Sequence, residues 1–396
     1  MVALRRGKSD YMKPYVLVAA DFLKTGGMDR ANYALAEFLA DRGAETHLVA
    51  YRVADDLLAH ERIVFHRVPK PLNSYFAAEP LLDRFGRKYA ARIAAEGGTV
   101  VVNGGNCAWN DVNWIHYVHA AYEPGAFHAG QGQQPGLIRL KSLIHRRVSR
   151  ARERRIVPMA RVVIANSKRT ARDLTELVGV PSSSVRCVYY GIDNQLFRPA
   201  TPQDRARARF ELGWPIERPV ALFVGALGDR RKGFDTLFNA WRRLCALPSW
   251  DTDLVVVGTG SEVEAWRKRA AECGMGSRVS FLGKRQDVPV LLAASDVMVA
   301  PTRYEAYGLA VHEALCCGLP SFVTRDAGVA EQYPPGLQEL LLNDPNDDAD
   351  LAERLKAWRR HPFALRSELA GLAARLSRRT WNDMAQEFIA LTEECR

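Results

Sequence analysis

Short apolar runs rich in valine and isoleucine alternate along the chain with longer segments whose apolar residues recur at helical spacing. This alternation is typical of parallel β-sheets, because parallel strands are buried on both faces and are joined by crossover helices. The predicted strands fall into two series. The first lies at 16–20, 46–50, 99–102, 115–118, 162–165 and 185–189, and the second at 220–224, 254–257, 279–282, 297–300 and 321–323. We therefore predict an α/β protein with two doubly wound parallel sheets.

A polar, proline-containing segment at 191–203 separates the two series and predicts a linker. At 396 residues the chain is too long for a single compact core. We predict one Rossmann-like domain at 1–195 and a second at 196–379, with the carboxyl ends of their strands facing across a ligand-binding cleft. The sequence T-W-N-D at Thr380 is a helix-start signal, so we expect 380–396 to form a last helix that packs back on the N-terminal domain.

Basic residues are concentrated in one segment. The formal net charge of +10, from 55 Lys and Arg against 45 Asp and Glu, suits nucleic acid, a lipid headgroup or a phosphorylated substrate. Between 139 and 161, nine basic residues are accompanied by one acidic residue, Glu153. No Phe, Tyr or Trp lies among them to stack on bases, so we expect no nucleic-acid partner.

The same segment predicts a basic amphipathic helix over 137–155, because its apolar residues recur with a helical period. They occupy positions 137, 140, 143, 144, 148 and 151. Three interpretations stay open: a helix packed on the core with a solvated outer face, a helix lying on an anionic membrane surface, and a helix contacting an acceptor.

The sequence contains neither an apolar segment long enough for a membrane span nor a paired-cysteine motif, and both absences bear on the compartment. The charged start of the sequence is followed by an apolar run of only five residues at 16–20, which is too short for a signal peptide. The longest apolar stretch, at 288–300, is interrupted by Ser295 and Asp296, so we predict no membrane span either. Seven cysteines without a C-x-x-C motif predict reduced, buried thiols rather than disulfides or zinc ligands. We predict a cytoplasmic protein, with peripheral attachment to the inner face of the membrane as one interpretation of the basic helix.

A glycine-rich loop follows the first predicted strand of each series. Gly26 and Gly27 precede a helix, where backbone N–H groups can approach a phosphate or sugar, although a tight turn also needs glycine. In the second series the loop at 225–233 carries Arg231 and Lys232 beside the next helix. These fixed cations suit a diphosphate leaving group; the alternative is a solvated basic turn.

Two glutamates carry the most specific motif. Glu305 and Glu313 are separated by seven residues, and Tyr307, Gly308 and Leu309 lie between them where a loop enters a predicted helix. Backbone N–H groups at that helix start can hold a phosphate, and a carboxylate one turn further on can accept both hydroxyls of a ribose. Glu305, on the loop, is free to bind sugar hydroxyls.

This motif resembles the E-x7-E signature of retaining GT-B glycosyltransferases, particularly the nucleotide-sugar-dependent family 4, in which E-[SAG]-[FY]-G-L leads into E-A-x-x-x-G-x-P. The matching residues are Glu305, Ala306, Tyr307, Gly308, Leu309, Glu313, Ala314, Gly318 and Pro320. The resemblance extends to the glycine pair near residue 26, Asn166-Ser167, the Arg231-Lys232-Gly233 loop, the turn at 255–261 and the segment 281–302. It implies the GT-B architecture and retaining transfer of a sugar from a nucleotide-sugar.

The resemblance also implies roles for single residues. Arg231 and Lys232 would bind the donor diphosphate, Glu313 the ribose and Glu305 the transferred sugar. The backbone from Tyr307 to Leu309 would hold sugar and phosphate, and Lys284 and Arg285 follow the strand near which the family holds the base. In family members a histidine of the N-terminal domain reaches the donor sugar. His119, at the end of a predicted strand, fits better than His116, and both stay candidates.

A UDP-sugar is the commonest donor in the family, and the acceptor would be a glycan, a lipid-linked sugar or a small molecule in glycan or glycoconjugate assembly. The resemblance implies a same-face route in which the leaving phosphate helps deprotonate the acceptor, with no cofactor and no catalytic metal. Two alternatives remain: a GT-B enzyme of another reaction, such as a sugar-nucleotide epimerase or a phosphorylase, and more remotely a nucleic-acid-binding protein. The chain departs from the family at Ala226, where many relatives have arginine, and at Tyr190, where many have asparagine before the glycine.

Overall fold

A computed structural model describes residues 12–122, 136–228 and 230–395, with side chains of the helix that begins at Gly136 described from Leu143 onwards. Within these ranges the strands are β1 Tyr15–Val18, β2 Asp21–Phe22, β3 Thr46–Ala50, β4 Arg52–Val53, β5 Ile63–Arg67, β6 Thr99–Asn103, β7 Val112–Ile115, β8 Val162–Ala165, β9 Val185–Cys187, β10 Val220–Val224, β11 Asp253–Val257, β12 Val279–Gly283, β13 Val297–Ala300, β14 Ser321–Thr324 and β15 Leu341–Leu342. The α-helices are α1 Gly27–Asp41, α2 Asp55–Leu58, α3 Tyr75–Ala95, α4 Gly136–Ile156, α5 Lys168–Asp173, α6 Pro202–Leu212, α7 Phe234–Cys245, α8 Val263–Glu272, α9 Val288–Ala294, α10 Leu309–Cys316, α11 Asp348–Arg360, α12 Arg366–Leu376 and α13 Trp381–Glu394.

Two parallel sheets form the two halves of the molecule. The N-terminal sheet has the strand order β5-β3-β1-β6-β7-β8-β9, and the C-terminal sheet has the order β12-β11-β10-β13-β14-β15. The central strands are buried on both faces, as the near-continuous valine and leucine runs require. The prediction of two doubly wound α/β sheets is confirmed.

One predicted strand is displaced by three residues. The sequence predicts a strand at 115–118, whereas β7 spans Val112–Ile115. The reason is Asn113, a polar residue that is fully buried because its side chain bonds both backbone groups of Gly104, at 2.7 Å to the N–H and 3.0 Å to the carbonyl. A buried asparagine satisfied in this way is invisible to a search for apolar runs. The strand β5, only half-buried along its length, was not predicted either.

The last helix packs on the N-terminal half. Trp381, Met384 and Phe388 of α13 belong to the apolar cluster that also contains the α1 side chains, and Phe388 lies 4.8 Å from the ring of Trp114. The chain passes between the halves at two adjacent points. The N–H of Ile192 donates to the carbonyl of Arg379 at 3.0 Å, beside Gly191. The domain bounds at 195 and 379 stay predictions.

The two halves meet at the carboxyl ends of their sheets. The hydroxyl of Ser167, after β8, donates to the carbonyl of Ala306 at 2.6 Å, and the N–H of Val118 donates to the hydroxyl of Tyr304 at 3.0 Å. Ser167 also caps α5, so one side chain both starts a helix and ties the halves together. The segment around Glu305 therefore lies against the N-terminal half.

Helix α4 contains most of the basic segment, and the described part of its apolar stripe, from Leu143 onwards, is not packed on the core. Leu143, Ile144 and Val148 are exposed over 38 to 48% of their surface, whereas Ser149 and Glu153 face inward. For the side chains that are described, the core-packed interpretation of this stripe is therefore wrong. Part of the positive charge is also used internally, because the side chains of Arg150, Arg152 and Arg154 donate to backbone carbonyls and that of Arg161 pairs with Asp111.

The cysteines and the apolar helices bear on the predicted compartment. All seven cysteines are unpaired, but only Cys107 and Cys316 are buried, and Cys273 is exposed near the end of α8. Among the described residues, no helix combines the length and the apolar character that crossing a membrane requires.

Candidate active site

Two glycine-rich turns pack backbone against backbone at the carboxyl ends of β10 and β11. A Cβ atom on Gly258 would lie 1.9 Å from the carbonyl oxygen of Gly225, and one on Gly260 would lie 1.7 Å from that of Leu227. Only glycine fits at such approaches. The N–H of Leu227 donates to the carbonyl of Thr259 at 3.0 Å, which fixes the two turns together. The loop that carries Arg231 and Lys232 therefore starts from a rigid base.

Arg231, Lys232 and Glu305 form one charged cluster. The ammonium group of Lys232 contacts the Glu305 carboxylate, and a guanidinium nitrogen of Arg231 lies 4.0 Å from its other oxygen. All three side chains are largely buried. Burial raises the pKa of Glu305, but the charges of Lys232 and then Arg231 outweigh it and hold the pKa below its ordinary value. The cluster thus keeps a carboxylate and two cations together in a sheltered position. The sequence predicted Glu305 to be free on its loop, whereas its carboxylate contacts Lys232 because the two segments fold together.

Arg303 positions this cluster and was missed by the sequence analysis. Its buried guanidinium bonds both carboxylate oxygens of Asp235, at 2.7 and 2.8 Å, and donates to the carbonyl of Arg230 at 2.8 Å. Its backbone N–H donates to the carbonyl of Arg231 at 2.8 Å. A bidentate arginine fork fixes geometry as well as charge. The only signal in the sequence was its place two residues before Glu305.

The helices α7 and α10 begin at glycines in the left-handed region. Gly233 has φ +69°, and a Cβ atom there would lie 1.8 Å from the carbonyl oxygen of Pro301. Gly308 has φ +109°, and a Cβ atom there would meet Val329 at 2.9 Å. Both helix N-termini are at the carboxyl end of the C-terminal sheet, where their free N–H groups favour an anion.

Glu313 lies in α10, one turn after the start of that helix. Its side chain is half-buried, and among the described residues none donates a hydrogen bond to it. Burial raises its pKa to about 8, against a smaller lowering by the charge of Arg30 in α1. Arg30 belongs to the N-terminal half, so its charge reaches Glu313 across the cleft. An acceptor group without donors suits a ligand that brings hydroxyls.

The glycine pair of the N-terminal half faces this helix. Gly26 has φ +90° and precedes α1, and an ideal Cβ atom on Gly27 would lie 3.9 Å from the Cβ atom of Leu309. The structure therefore brings Gly26, Gly27, Leu309 and the start of α10 to one place. Tyr307 is buried against the N-terminal half, with its ring 4.9 Å from that of Tyr190.

The two candidate histidines have different environments. His116 is buried, the hydroxyl of Tyr190 lies 2.6 Å from its Nδ1 atom, and burial lowers its pKa to about 3. His119 is only half-buried, and burial followed by the charge of His145 lowers its pKa to about 4. Glu153 fixes the His119 backbone by accepting from its N–H at 2.9 Å. Both rings are neutral near pH 7.

Among the described residues, a chain of ring contacts connects His119, and not His116, to the charged cluster. Its ring lies 4.9 Å from the ring of Tyr117, and the guanidinium of Arg231 lies 5.7 Å from the same tyrosine ring. Tyr117 was not singled out from the sequence. The geometry thus favours His119 over His116 as the histidine nearer the cleft, although its role stays a prediction.

Lys284 and Arg285 lie apart from the cluster. They follow β12, the edge strand of the C-terminal sheet, two strands away from β10. Lys284 is exposed, and Arg285 pairs with Asp287 at 2.5 Å. Their side-chain charges are therefore directed to solvent and to a neighbouring carboxylate. A role in holding a nucleotide base stays a prediction and would fall to the backbone.

Two family descriptions match the two halves of the chain. The model described as "Glycosyltransferase Family 4" matches residues 25–196, and the one described as "Glycosyl transferases group 1" matches residues 218–360. The second match contains Arg231, Lys232, Glu305 and Glu313.

Named relatives align with much of the chain. The D-inositol 3-phosphate glycosyltransferase of Corynebacterium jeikeium is 30% identical over 295 residues, which cover 72% of this chain and 67% of that protein. The lipopolysaccharide core biosynthesis mannosyltransferase LpsB of Rhizobium meliloti is 32% identical over 192 residues, which cover 47% of this chain and 51% of that protein. The alignments thus span about half to two thirds of the relatives' own lengths.

Solved structures match the fold over nearly the whole chain. Sucrose-phosphate synthase from Thermosynechococcus elongatus has a TM-score of 0.74 at 21% identity, with 97% of this chain and 99% of that chain covered. The lipopolysaccharide glycosyltransferase WaaG has a TM-score of 0.75 at 21% identity, with 96% and 99% covered. Anabaena HepE in complex with UDP and glucose has a TM-score of 0.69 at 20% identity, with 97% and 99% covered. The predicted GT-B architecture is confirmed, and the chain belongs to the family 4, or group 1, glycosyltransferases.

Proposed function

We propose that this protein transfers a hexose from a UDP-sugar to a hydroxyl group of an acceptor, with retention at the anomeric carbon. The observation that carries the proposal is the cluster of Glu305 with Arg231 and Lys232, beside the glycines that precede α7 and α10. Such a site offers fixed positive charge to a diphosphate and a carboxylate to sugar hydroxyls.

Each group has a place in the proposed reaction. Arg231 and Lys232 bind the diphosphate, and Lys232 then exchanges its contact with Glu305 for a phosphate oxygen. Glu305 becomes available to accept hydrogen bonds from the sugar. Glu313, half-buried and with a raised pKa, accepts the ribose hydroxyls in its ionised form. Neutral His119 lies on the N-terminal side of the cleft, where the transferred sugar would sit.

The reaction forms a bond between the acceptor oxygen and the anomeric carbon, and it breaks the bond between that carbon and the diphosphate oxygen. The acceptor proton passes to the departing phosphate on the same face of the sugar. The products are the glycoside and UDP. Positive charge at 231 and 232 lowers the barrier because negative charge grows on the diphosphate as the bond breaks.

The donor base is inferred from likeness. Anabaena HepE, of the same fold, has been solved with UDP and glucose and with UDP-glucose. The relatives' names include one small-molecule acceptor and one lipopolysaccharide core, so both acceptor classes enter the test. No cofactor beyond the nucleotide-sugar enters the proposed reaction, and the charge on the diphosphate is met by side chains and helix N-termini.

The test begins with thermal shifts in UDP, GDP, ADP and their sugars, because a ligand that binds only the folded protein raises its melting temperature. Candidate acceptors are then incubated with the preferred donor, and the glycoside and free nucleotide are quantified. We expect one glycoside per UDP released and an unchanged anomeric configuration by NMR. An epimerised donor, sugar phosphate formed from inorganic phosphate, or an inverted glycoside would contradict the proposal.

We further propose that α4 attaches the protein peripherally to an anionic membrane surface on the cytoplasmic side. The support is its exposed face, where Leu143, Ile144 and Val148 lie beside exposed Arg147 and Arg155. Apolar side chains can enter the boundary between headgroups and acyl chains, while arginines pair with lipid phosphates. Such attachment suits a lipid-linked acceptor.

A further inference from the structure

A cavity of about 340 Å³ opens at the edge of the N-terminal sheet. Tyr51 and Arg52, which follow β3, form one side of it, and the segment from Arg67 to Lys70, which follows β5, forms another. The strands β3 and β5 are parallel neighbours, so both segments leave the sheet at the same edge. The carboxyl ends of parallel strands are where doubly wound sheets bind ligands, and the volume is that of a small-molecule site.

The lining of this cavity is strongly basic. Arg52, Arg67 and Lys70 contribute three positive charges, and no acidic residue lines it among those described. Arg52 is neutralised, because both oxygens of buried Asp21 accept from it, at 3.0 and 2.7 Å. In the described part of the chain, Arg67 and Lys70 form no ion pair. The Lys70 ammonium group lies over the rings of Tyr75 and Tyr51, 3.2 and 5.8 Å from their centroids. Neither the charge of Arg67 nor that of Lys70 is therefore neutralised by a carboxylate within the described residues.

A buried hydroxyl without a partner lies in the same wall. The side chain of Tyr51 is 5% exposed, and its hydroxyl has no hydrogen-bond partner among the described residues. A buried polar group without a partner costs free energy, so such groups usually mark a ligand or water position. Burial and the charges of Glu79 and Asp21 raise the pKa of Tyr51, so its hydroxyl keeps its proton and can donate.

Asp21 connects this wall to the glycine loop of the cleft, by hydrogen bonds on the side of the wall and by its charge on the side of the loop. Asp21 accepts from Arg52 and from the hydroxyl of Tyr75, the latter at 2.7 Å. Burial, and then the charge of Asp21, raises the pKa of Asp29 to about 7. Asp29 lies beside Gly26, with an oxygen 3.5 Å from where a Gly26 Cβ atom would be. The cavity therefore belongs to the N-terminal side of the cleft, opposite the half that carries the donor cluster.

We propose that this cavity binds the phosphate monoester of the acceptor, with Arg67 and Lys70 meeting its charge and Tyr51 donating a hydrogen bond. A phosphate monoester suits the cavity better than a carboxylate does, because it carries close to two negative charges at neutral pH and offers three acceptor oxygens. That the phosphate belongs to an acceptor rests on the proposed function; that the cavity binds a phosphate does not.

The test measures binding of inorganic phosphate by calorimetry, at constant ionic strength in chloride. We expect Arg67→Ala with Lys70→Ala to weaken binding at least tenfold, and the isosteric Tyr51→Phe to weaken it severalfold while leaving the melting temperature close to that of the parent. Arg84→Ala with Lys88→Ala, which removes two exposed charges from α3, is the matched control and should bind as the parent does. Lys232→Ala identifies phosphate that binds in the donor cluster instead.

Different results would overturn the phosphate site and the proposed function. Absence of phosphate binding by the parent, equal binding by the Arg67 and Lys70 double variant, or loss of binding in Lys232→Ala alone would overturn the site. Glycerol phosphate and phosphatidic acid vesicles then distinguish a soluble phosphate from a lipid headgroup, and binding to neither overturns the proposal. UDP binding and sugar transfer are measured on the same proteins. Phosphate binding without transfer defeats the proposed function alone, and transfer without phosphate binding defeats this site alone.

Discussion

The Lys232 ammonium group contacts the Glu305 carboxylate, and the Arg231 guanidinium lies 4.0 Å from the same carboxylate. Because we place the donor diphosphate at this cluster, Lys232→Ala removes positive charge from the leaving group in the transition state. We expect turnover to fall about thirtyfold or more, which corresponds to about 2 kcal/mol of lost stabilisation. The measurement is glycoside formed per minute at saturating donor. Lys268→Ala, on the exposed face of α8, removes the same charge elsewhere and should leave turnover unchanged.

The raised pKa of Glu313 predicts how stability depends on pH. This pKa is about 8 in the folded protein against 4.5 for an ordinary glutamate, so the folded protein holds a proton that the unfolded chain has released. Stability therefore falls as pH rises from about 4.5 to about 8. In Glu313→Gln this part of the pH dependence should be absent from the melting temperature. Parallel melting curves for the two proteins across this range would refute the assignment.

The same group predicts proton-linked binding of UDP. The ribose needs the ionised carboxylate, so below about pH 8 binding must release a proton. We expect affinity to rise with pH by up to about tenfold per unit until that value is reached. Calorimetry in two buffers of different ionisation enthalpy measures the released proton directly. Glu313→Gln serves as the control, since the pH dependence that it retains comes from UDP itself.

Gly233 and Gly43 offer a matched pair for measuring the packing of the active-site loop. Both are left-handed, at φ +69° and +85°, but a Cβ atom on Gly233 would lie 1.8 Å from the carbonyl of Pro301, whereas one on Gly43 has nothing within 4 Å. We expect Gly43→Ala to cost about 1 to 2 kcal/mol from backbone strain. Gly233→Ala should cost at least about 2 kcal/mol more. Thermal unfolding followed by circular dichroism compares them, and equal melting temperatures would show that the loop can move aside.

The exposed face of α4 predicts selective attachment to anionic vesicles. Replacing Leu143 and Ile144 together by glutamine should weaken attachment at least about tenfold, because two apolar side chains would no longer be transferred from water into the membrane. Phe210→Gln, which changes an exposed apolar residue in the other half, should have no effect. The assay is pelleting with phosphatidylglycerol or phosphatidylcholine vesicles at low salt. Equal pelleting of the parent with both vesicles would remove the membrane proposal.

The sheets could be predicted from the sequence because their central strands are continuous apolar runs. Most strand bounds agree to within two residues, and the exceptions have physical causes. At Asn113 a buried amide is satisfied by the backbone of Gly104, and β5 is too exposed to give an apolar run. Periodicity alone could not choose among the three environments of the apolar face of α4. The core-packed environment is wrong because buried Glu153 takes the inward position by accepting from two backbone N–H groups.

The residues that we propose to bind the donor could be predicted more readily than the residues that position them. Arg231, Lys232 and Glu305 were predicted from motif spacing, and the structure brings them together. Arg303 and Tyr117 were not, because their contacts join segments far apart in sequence: Arg303 bonds Asp235, and Tyr117 lies beside Arg231. Such contacts become visible only when the chain has folded.

The two passages of the chain between its halves lie side by side. A Cβ atom on Gly191 would lie 2.2 Å from the carbonyl oxygen of Thr380, and the N–H of Ile192 donates to the carbonyl of Arg379. The two connections are therefore packed against each other. Two adjacent connections act as a hinge, which permits one half to rotate relative to the other but limits sliding between them. Opening at this hinge would separate Arg30 from Glu313 and Gly27 from Leu309 at the same time. One angle, that between the two halves, would therefore control both the entry of the donor and the assembly of the groups that bind it.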